Sequence, residues 1–376
     1  MVIQFISFFF LFILIFCCSQ QKAAWKGTIE EVDGIPLVKN PKEPVYTEDV
    51  CILEEELAIG ETEGREEYML SRIIDVAVDD AGNIYAADMK ENQIIVFDRN
   101  GCYVRTIGRP GQGPGEFSRI LDIQITPRNE LMAYDRLAFK LTFFSLDGNY
   151  TRSLHLKGVQ ALRKNIRENV EGNYYVGTIE FQGQYGTNTF RSSREVREYG
   201  SDLTFIKTIF KDKFRTADVP LRHDMLARFP SSGLIICGFT DTYEFRIINP
   251  DGEIVRRVLK LYDPIGISDE EKMKRGLADV KSVPKYFPAF QDFSMDEDGR
   301  IFVQTFESQA DENKFYYDVF DPDGKYVAKI SLNALPACWK NGKMYTIEYD
   351  EQGYQYIKRY ELNWKIRPFY PPLAYD

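Results

Sequence analysis

A repeat governs what this chain can fold into. Ser71-Arg72-Ile73-Ile74-Asp75 returns as Ser118-Arg119-Ile120-Leu121-Asp122, 47 residues later (118 less 71). The same offset carries Asp88 to Asp135, Phe97 to Phe144 and Gly101 to Gly148. Several landmarks in one register at a period in the forties mark stacked structural units, each too small to bury its own apolar face.

Each unit reads as four short strands. In the first, Ile74 to Val78 runs into Asp80-Ala81-Gly82-Asn83, then Ile84 to Ala87 and a loop at Asp88 to Asn92. Gln93 to Phe97 follows, then Asp98-Arg99-Asn100-Gly101 and Tyr103 to Ile107. Asp, Asn and Gly between apolar runs are hairpin chemistry, because Gly and Asn tolerate positive φ. Ile94-Ile95-Val96-Phe97 does not alternate with polar residues. Such a strand is covered on both faces, as neighbouring blades of a propeller would do. Tyr and Phe number 23 and 27, which suits strands.

Weaker copies follow. The third unit has Gly172 to Val176 and, after a polar insertion near 179–200, Leu203 to Ile209. The fourth has Gly233 to Ile236 and Tyr243 to Ile248; the fifth has Phe293 to Met295, Ile301 to Val303 and Tyr316 to Phe320. The sixth has Met344 to Tyr349 and Tyr354 to Leu362, and then the chain ends short of a fourth strand. Cys51 to Ile59 ends in Ile-Gly as Tyr103 to Ile107 does, so it is expected to complete the last blade and remove the open edges. The expected fold is all-β: a six-bladed propeller over residues 27–376, closed by an N-terminal strand. Gly27 to Val45 would wrap outside it. A second insertion, 262–283, carries Ser268-Asp269-Glu270-Glu271, a capping-box pattern that opens a helix running to about Val280.

Ile3 to Phe16 is almost wholly apolar and ends at Cys17-Cys18-Ser19. Fourteen residues fall short of the roughly 20 that span a bilayer and suit a signal-peptide core. Residues 1–17 are therefore expected to be a signal peptide, Cys18 the lipid attachment site after a loose lipobox, and 18–26 the linker. No Lys or Arg precedes the apolar run. The lack of an acidic cluster after Cys18 leans the anchor toward the periplasmic face of the outer membrane.

The block from Asp75 to Tyr85, then Phe97-Asp98 and Gly108-Arg109-Pro110-Gly111-Gln112-Gly113-Pro114-Gly115-Glu116-Phe117, resembles NHL-type repeats. It is more closely similar to the six-bladed β-propeller lipoproteins of Gram-negative bacteria, as is Lys285 to Phe290 ahead of Asp296-Glu297-Asp298-Gly299-Arg300. The resemblance implies a fold and an envelope location, with the membrane met through the lipid. It does not imply an activity, since propellers host many.

The chemistry-bearing residues are sparse. With 57 acidic and 47 basic residues the formal charge is −10, which disfavours nucleic acid. Gly108 to Gly115 lacks the Gly-Lys-Ser/Thr and following helix of a phosphate loop. Asp296 to Gly299 and Asp321 to Gly324 lack the bidentate Glu of a calcium loop, since Thr305 and Ile330 stand there. Only His155 and His223 exist, too few for a three-His zinc site; no Gly-x-Ser-x-Gly occurs. Cys51, Cys102, Cys237 and Cys338 show no ligand spacing; an oxidising compartment would allow disulfides among them, but buried free thiols in strands are the expectation. By the repeat register, Arg72, Asp88, Arg119, Asp135 and Arg136 gather at one mouth of the ring. There they would bind an anionic or polyhydroxylated ligand, or pair between blades as structural glue. The expected role is binding of a glycan, peptide or protein. The alternative is a lactonase-like hydrolase or lyase with a divalent ion, such as calcium, held by Asp, Glu and Asn in the central tunnel.

Overall fold

The computed structural model describes residues 24–47, 50–156, 161–185, 189–213, 215–216, 221, 225–230, 232–280, 283–307 and 314–365. The expected signal peptide, Cys18 and His223 lie outside the described residues. Among the described residues, six sheets form the blades, numbered here in chain order.

Blade 1 comprises Ile73–Val78, Ile84–Asp88, Gln93–Phe97 and Tyr103–Ile107. Blade 2 comprises Ile120–Ile125, Glu130–Asp135, Lys140–Ser145 and Tyr150–His155. In each, the first strand lines the axis and the fourth is outermost, with antiparallel pairing between neighbours. The unbroken run Ile94–Phe97 is buried throughout, as its lack of alternation requires. Six apolar clusters form the core, each made by two adjoining blades; the last joins Ile59, Tyr345 and Ile357 of blade 6 to Ile73, Ile84 and Phe97 of blade 1. The core is therefore six wedge-shaped interfaces.

Turn chemistry repeats with the blades. Asp79 accepts the Asn83 amide at 2.8 Å, and Gly82 takes φ +86. In blade 2 Asn129 fills the glycine position at φ +57, which Asn tolerates. Asp296 and Asp321 accept turn amides from Arg300 and Lys325 at 2.8 Å each, so both are hairpin turns.

Cys51–Ile59 pairs antiparallel with Gln355–Trp364, Ile59 opposite Ile357, and closes blade 6 after Pro336–Lys340 and Lys343–Tyr349. Gln355 then locks blade 6 to blade 1, accepting the Ile73 amide at 2.6 Å and donating to the Ile73 carbonyl at 2.9 Å. The chain is a six-bladed β-propeller.

The structure departs from the expectation in three places. The polar stretch near 179–200 is mostly strand: it extends Tyr174–Gln182 and forms Arg191–Tyr199, the second and third strands of blade 3, and its hairpin tip, from Phe181 to Tyr185, is exposed. Part of its polarity is internal: Glu195 is buried and paired with Arg197 and Lys211, both at 2.6 Å. Of the expected strand Leu203 to Ile209, the part from Phe205 onward lies in the fourth strand, Phe205–Lys211, while Leu203 turns into it at φ +64. The helix capped by Ser268 spans only Asp269–Lys274, since Gly276 turns the chain away at φ +65. Finally, the N-terminal wrap contributes two strands. Ile35–Asn40 runs parallel to Ile254–Lys260, the outer strand of blade 4, and Thr28–Val32 adds outside it. Blade 4 so holds six strands, beginning with Met225–Arg228, Ile235–Phe239 and Glu244–Ile248.

Asn40 is the keystone of that wrap. Its buried amide donates to Gly324 O at 2.9 Å and Leu259 O at 3.3 Å, and accepts from Tyr326 N at 2.7 Å and Trp25 Nε1 at 2.9 Å. The described residues contain no helix long and apolar enough to cross a membrane.

Candidate functional site

The inner strands enclose a central cavity of about 480 Å³. It opens among the hairpins joining first and second strands, where Asp80, Pro127, Asn129 and Val170 line it. We call this the turn face. The opposite, loop face carries the connections between second and third strands and those between blades.

Inner strands elsewhere rich in Ile and Val place polar groups on the cavity wall. Asp75 comes from blade 1, Asp122 and Gln124 from blade 2, and Arg167 from Ala161–Glu168 of blade 3. Arg228, Asp292, on Asp292–Met295 of blade 5, and Cys338 complete the circuit. Asp75 accepts the Ile123 amide across the blade interface at 3.0 Å. Arg228 Nε lies 2.7 Å from Asp292. Arg167 donates to Gln124 Oε1 at 2.9 Å, a neutral partner that Gln124 holds in place by donating to Ile166 O at 2.8 Å. Removal from water lowers the Arg167 pKa from its ordinary value, opposed by Asp122, Cys338 and Asp75. A guanidinium remains charged under any physiological condition, so the wall presents a fixed cation held by the neutral Gln124 amide and by the charges of Asp122 and Asp75. Ser294 Oγ, also on the wall, is buried without a hydrogen-bond partner among the described residues.

The mouth anticipated from the repeat is on the loop face. Arg72, Arg119 and Arg136 are there, and exposed. Asp88 and Asp135 are buried and face the backbone instead. Asp88 accepts Ser71 Oγ at 2.8 Å and the Lys90 amide at 2.9 Å; Asp135 accepts the Ser118, Arg119, Leu137 and Ala138 amides. The structure thus does not bring the five residues together as one ligand shell: two carboxylates are spent on loop amides, and three arginines face solvent. Sequence reasoning missed the cavity residues. The available signal was polar residues in inner strands, Asp75 and Asp122 in register among them.

Among the described residues, no group of three or more His, Cys, Asp or Glu is arranged to hold a metal ion. His155 is exposed on the outer strand of blade 2, away from the cavity. The four thiols are free, but only Cys237 is buried, its thiol pushed up to about 12 by desolvation; Cys102 is exposed in a turn. That corrects the expectation of four buried thiols.

A second cavity, about 290 Å³, lies between blades 4 and 5 under Lys42 to Thr47. Its floor is Asp318, of the strand Phe315–Phe320, which accepts Tyr243 Oη at 2.6 Å and Tyr326 Oη at 2.7 Å. Lys260 and Lys329 lie 3.3 and 3.1 Å from it. Burial opposes its ionisation, yet Lys260 and Lys329 hold its pKa below the usual carboxylate value.

Comparison with known proteins agrees with this architecture. A family model described as a six-bladed β-propeller, DUF5128, matches residues 61–237. A solved structure of a Bacteroides fragilis protein, whose export is inferred, superposes at TM-score 0.57 with 10% identity, covering 87% of this chain and 99% of that one. A DUF4221 family member from Bacteroides vulgatus gives TM-score 0.53 at 12% identity, over 84% of this chain and 99% of that one. At these identities the likeness is one of fold alone. Comparison with curated proteins finds no match.

Proposed function

We propose that this propeller is an exported envelope lipoprotein, anchored through Cys18 on the periplasmic side of the outer membrane, that binds a small carboxylate-bearing glycan or peptide fragment in its central cavity. The observation that carries the binding role is Arg167: a cation on a cavity wall whose hydrogen-bonded partner is a neutral amide. A ligand carboxylate adds paired N–H···O bonds to this guanidinium, alongside the electrostatic pull of Asp122 and Asp75. Ser294 and Gln124 add polar contacts, and about 480 Å³ suits a small ligand, within the roughly 300–1,000 Å³ of such sites. The apolar run ending at Cys17-Cys18 supports export and anchoring.

Calorimetric titration of the full-length protein with uronic-acid oligosaccharides and short peptides tests the reading. A charge-assisted hydrogen bond contributes about 1.5–3 kcal/mol, so Arg167→Gln weakens binding roughly 10- to 150-fold. Binding that survives Arg167→Gln intact, or methyl esters that bind as well as the acids, overturns it. Cys18→Ala releases the protein from membranes; retention in the membrane fraction overturns the anchor.

A further inference from the structure

We infer that the loop face of blades 1 and 2 is a docking surface for an acidic, apolar-bearing segment of a partner protein. It lies on the opposite side of the disc from the cavity opening and does not depend on what the cavity binds.

Three exposed arginines cluster on these adjoining blades. Arg72 and Arg119 begin the two inner strands, and the Arg136 amide donates to the Arg119 carbonyl at 3.0 Å. None of the three guanidinium groups forms an ion pair within the described residues. They therefore do not glue the blades, and their charge is available. Interleaved with them are Leu137, Phe139 and Met69, exposed at 60%, 51% and 48%. Arginine, methionine and aromatic side chains together are the composition of protein interfaces.

Phe139 sits at φ +47, as Asn92 does at +51 at the same position of blade 1, so the left-handed turn belongs to the repeat. The Leu156 amide holds its carbonyl at 2.8 Å. Blade 2 thus places a half-exposed aromatic where blade 1 has Asn92, a substitution that the turn itself does not call for. The loops are also rigid. Asp135 takes amides from both Arg119 and Leu137 at 3.1 Å, and Asp88 takes those of Lys90 and Glu91. Asp88 and Asp135 are thus positioning residues: they fix the backbone that presents the patch, so a partner does not spend binding energy ordering it.

Charge selects the occupant. On this face exposed Glu91 is 3.8 Å from Lys90, so the excess positive charge comes from Arg72, Arg119 and Arg136; in a chain of −10 that excess attracts a partner with a confined acidic surface. Exposed Glu63 and Glu66, the latter's carbonyl accepting the Met69 amide at 3.1 Å, repel a flat anionic membrane on this face, whereas a narrow protein segment settles on Arg119, Arg136, Leu137 and Phe139.

The test is fluorescence anisotropy of the full-length protein with a labelled peptide of alternating Glu, Leu and Tyr. The same peptide with Lys for Glu, and phosphatidylglycerol vesicles, serve as comparators. The inference predicts saturable binding of the acidic peptide that weakens with added salt and drops at least about tenfold in the Arg119→Glu, Arg136→Glu double variant. Thermal melting checks that the variant folds, and Arg167→Gln, in the cavity, leaves this binding unchanged. Equal binding of the Lys peptide, an undiminished double variant, or binding of vesicles in place of the peptide each overturns it.

Discussion

Replacing Asp318 by Asn removes one charge from a densely connected, buried polar cluster. The carboxylate is fully buried and meets Lys260 at 3.3 Å and Lys329 at 3.1 Å, besides two tyrosine hydroxyls. At an effective dielectric near 20 each ammonium gains about 5 kcal/mol from it, most of which offsets the desolvation of the three ions. Lys329 retains Glu307 at 2.6 Å after the substitution, but Lys260 is left with the faces of Tyr243 and Tyr326, 4.9 and 4.7 Å away, and the more distant charge of Glu307. Stranding a buried charge in this way costs about 3–5 kcal/mol. At roughly 2 °C per kcal/mol, that lowers the melting temperature by about 6–10 °C.

The pH dependence gives a second handle on the same variant. Asp318 has its pKa lowered on folding, so its stabilisation is complete above the unfolded value near 3.9 and disappears as pH falls through the lower folded value. The gap between wild type and Asp318→Asn is therefore wide at pH 7 and closes in acid below about pH 4. Calorimetric melts from pH 3 to pH 8 measure both quantities. A loss under about 1 kcal/mol at pH 7, or a gap that widens in acid, refutes the reasoning.

Asn40→Leu leaves the Tyr326 amide and the Gly324 carbonyl unpaired where the wrap crosses blades 4 and 5, and is expected to cost about 2–4 kcal/mol by urea unfolding. Gly108→Ala puts a methyl 2.2 Å from buried Phe117 at φ +77, so a loss of about 2–4 kcal/mol is expected, with retained activity of the fold checked by circular dichroism. Phe139→Asn relieves a left-handed conformation at an exposed site and is expected to raise stability by about 0.5–1 kcal/mol while weakening the acidic peptide. Millimolar calcium is expected to shift the melting temperature by less than about 1 °C; a larger rise would favour the tunnel-metal enzyme over the binding role.

Local chemistry made the architecture legible. Turn residues at fixed offsets and runs such as Ile94 to Phe97 specify strands buried on both faces, and a shortfall of one strand at the end with a spare one at Cys51 to Ile59 specifies how the ring closes. Those are properties of each residue's near neighbours, which a sequence displays directly. Blade 3 was harder because Ser193 and Glu195 are polar yet buried, satisfied by the Asp212 carbonyl and by Arg197 and Lys211, partners that a linear reading does not show.

What only the tertiary structure decided is which polar groups meet. Arg167, Gln124, Arg228 and Asp292 stand on different blades, dozens of residues apart, and become neighbours because the ring turns each inner strand toward one axis. The same closure separates residues that the repeat places together: Asp88 and Asp135 turn inward to hold loop amides, while Arg72, Arg119 and Arg136 turn out to solvent. A repeat fixes the position of a residue along its blade. The direction of a side chain depends on whether a buried amide or open water competes for it, and that competition exists only once the blades have packed.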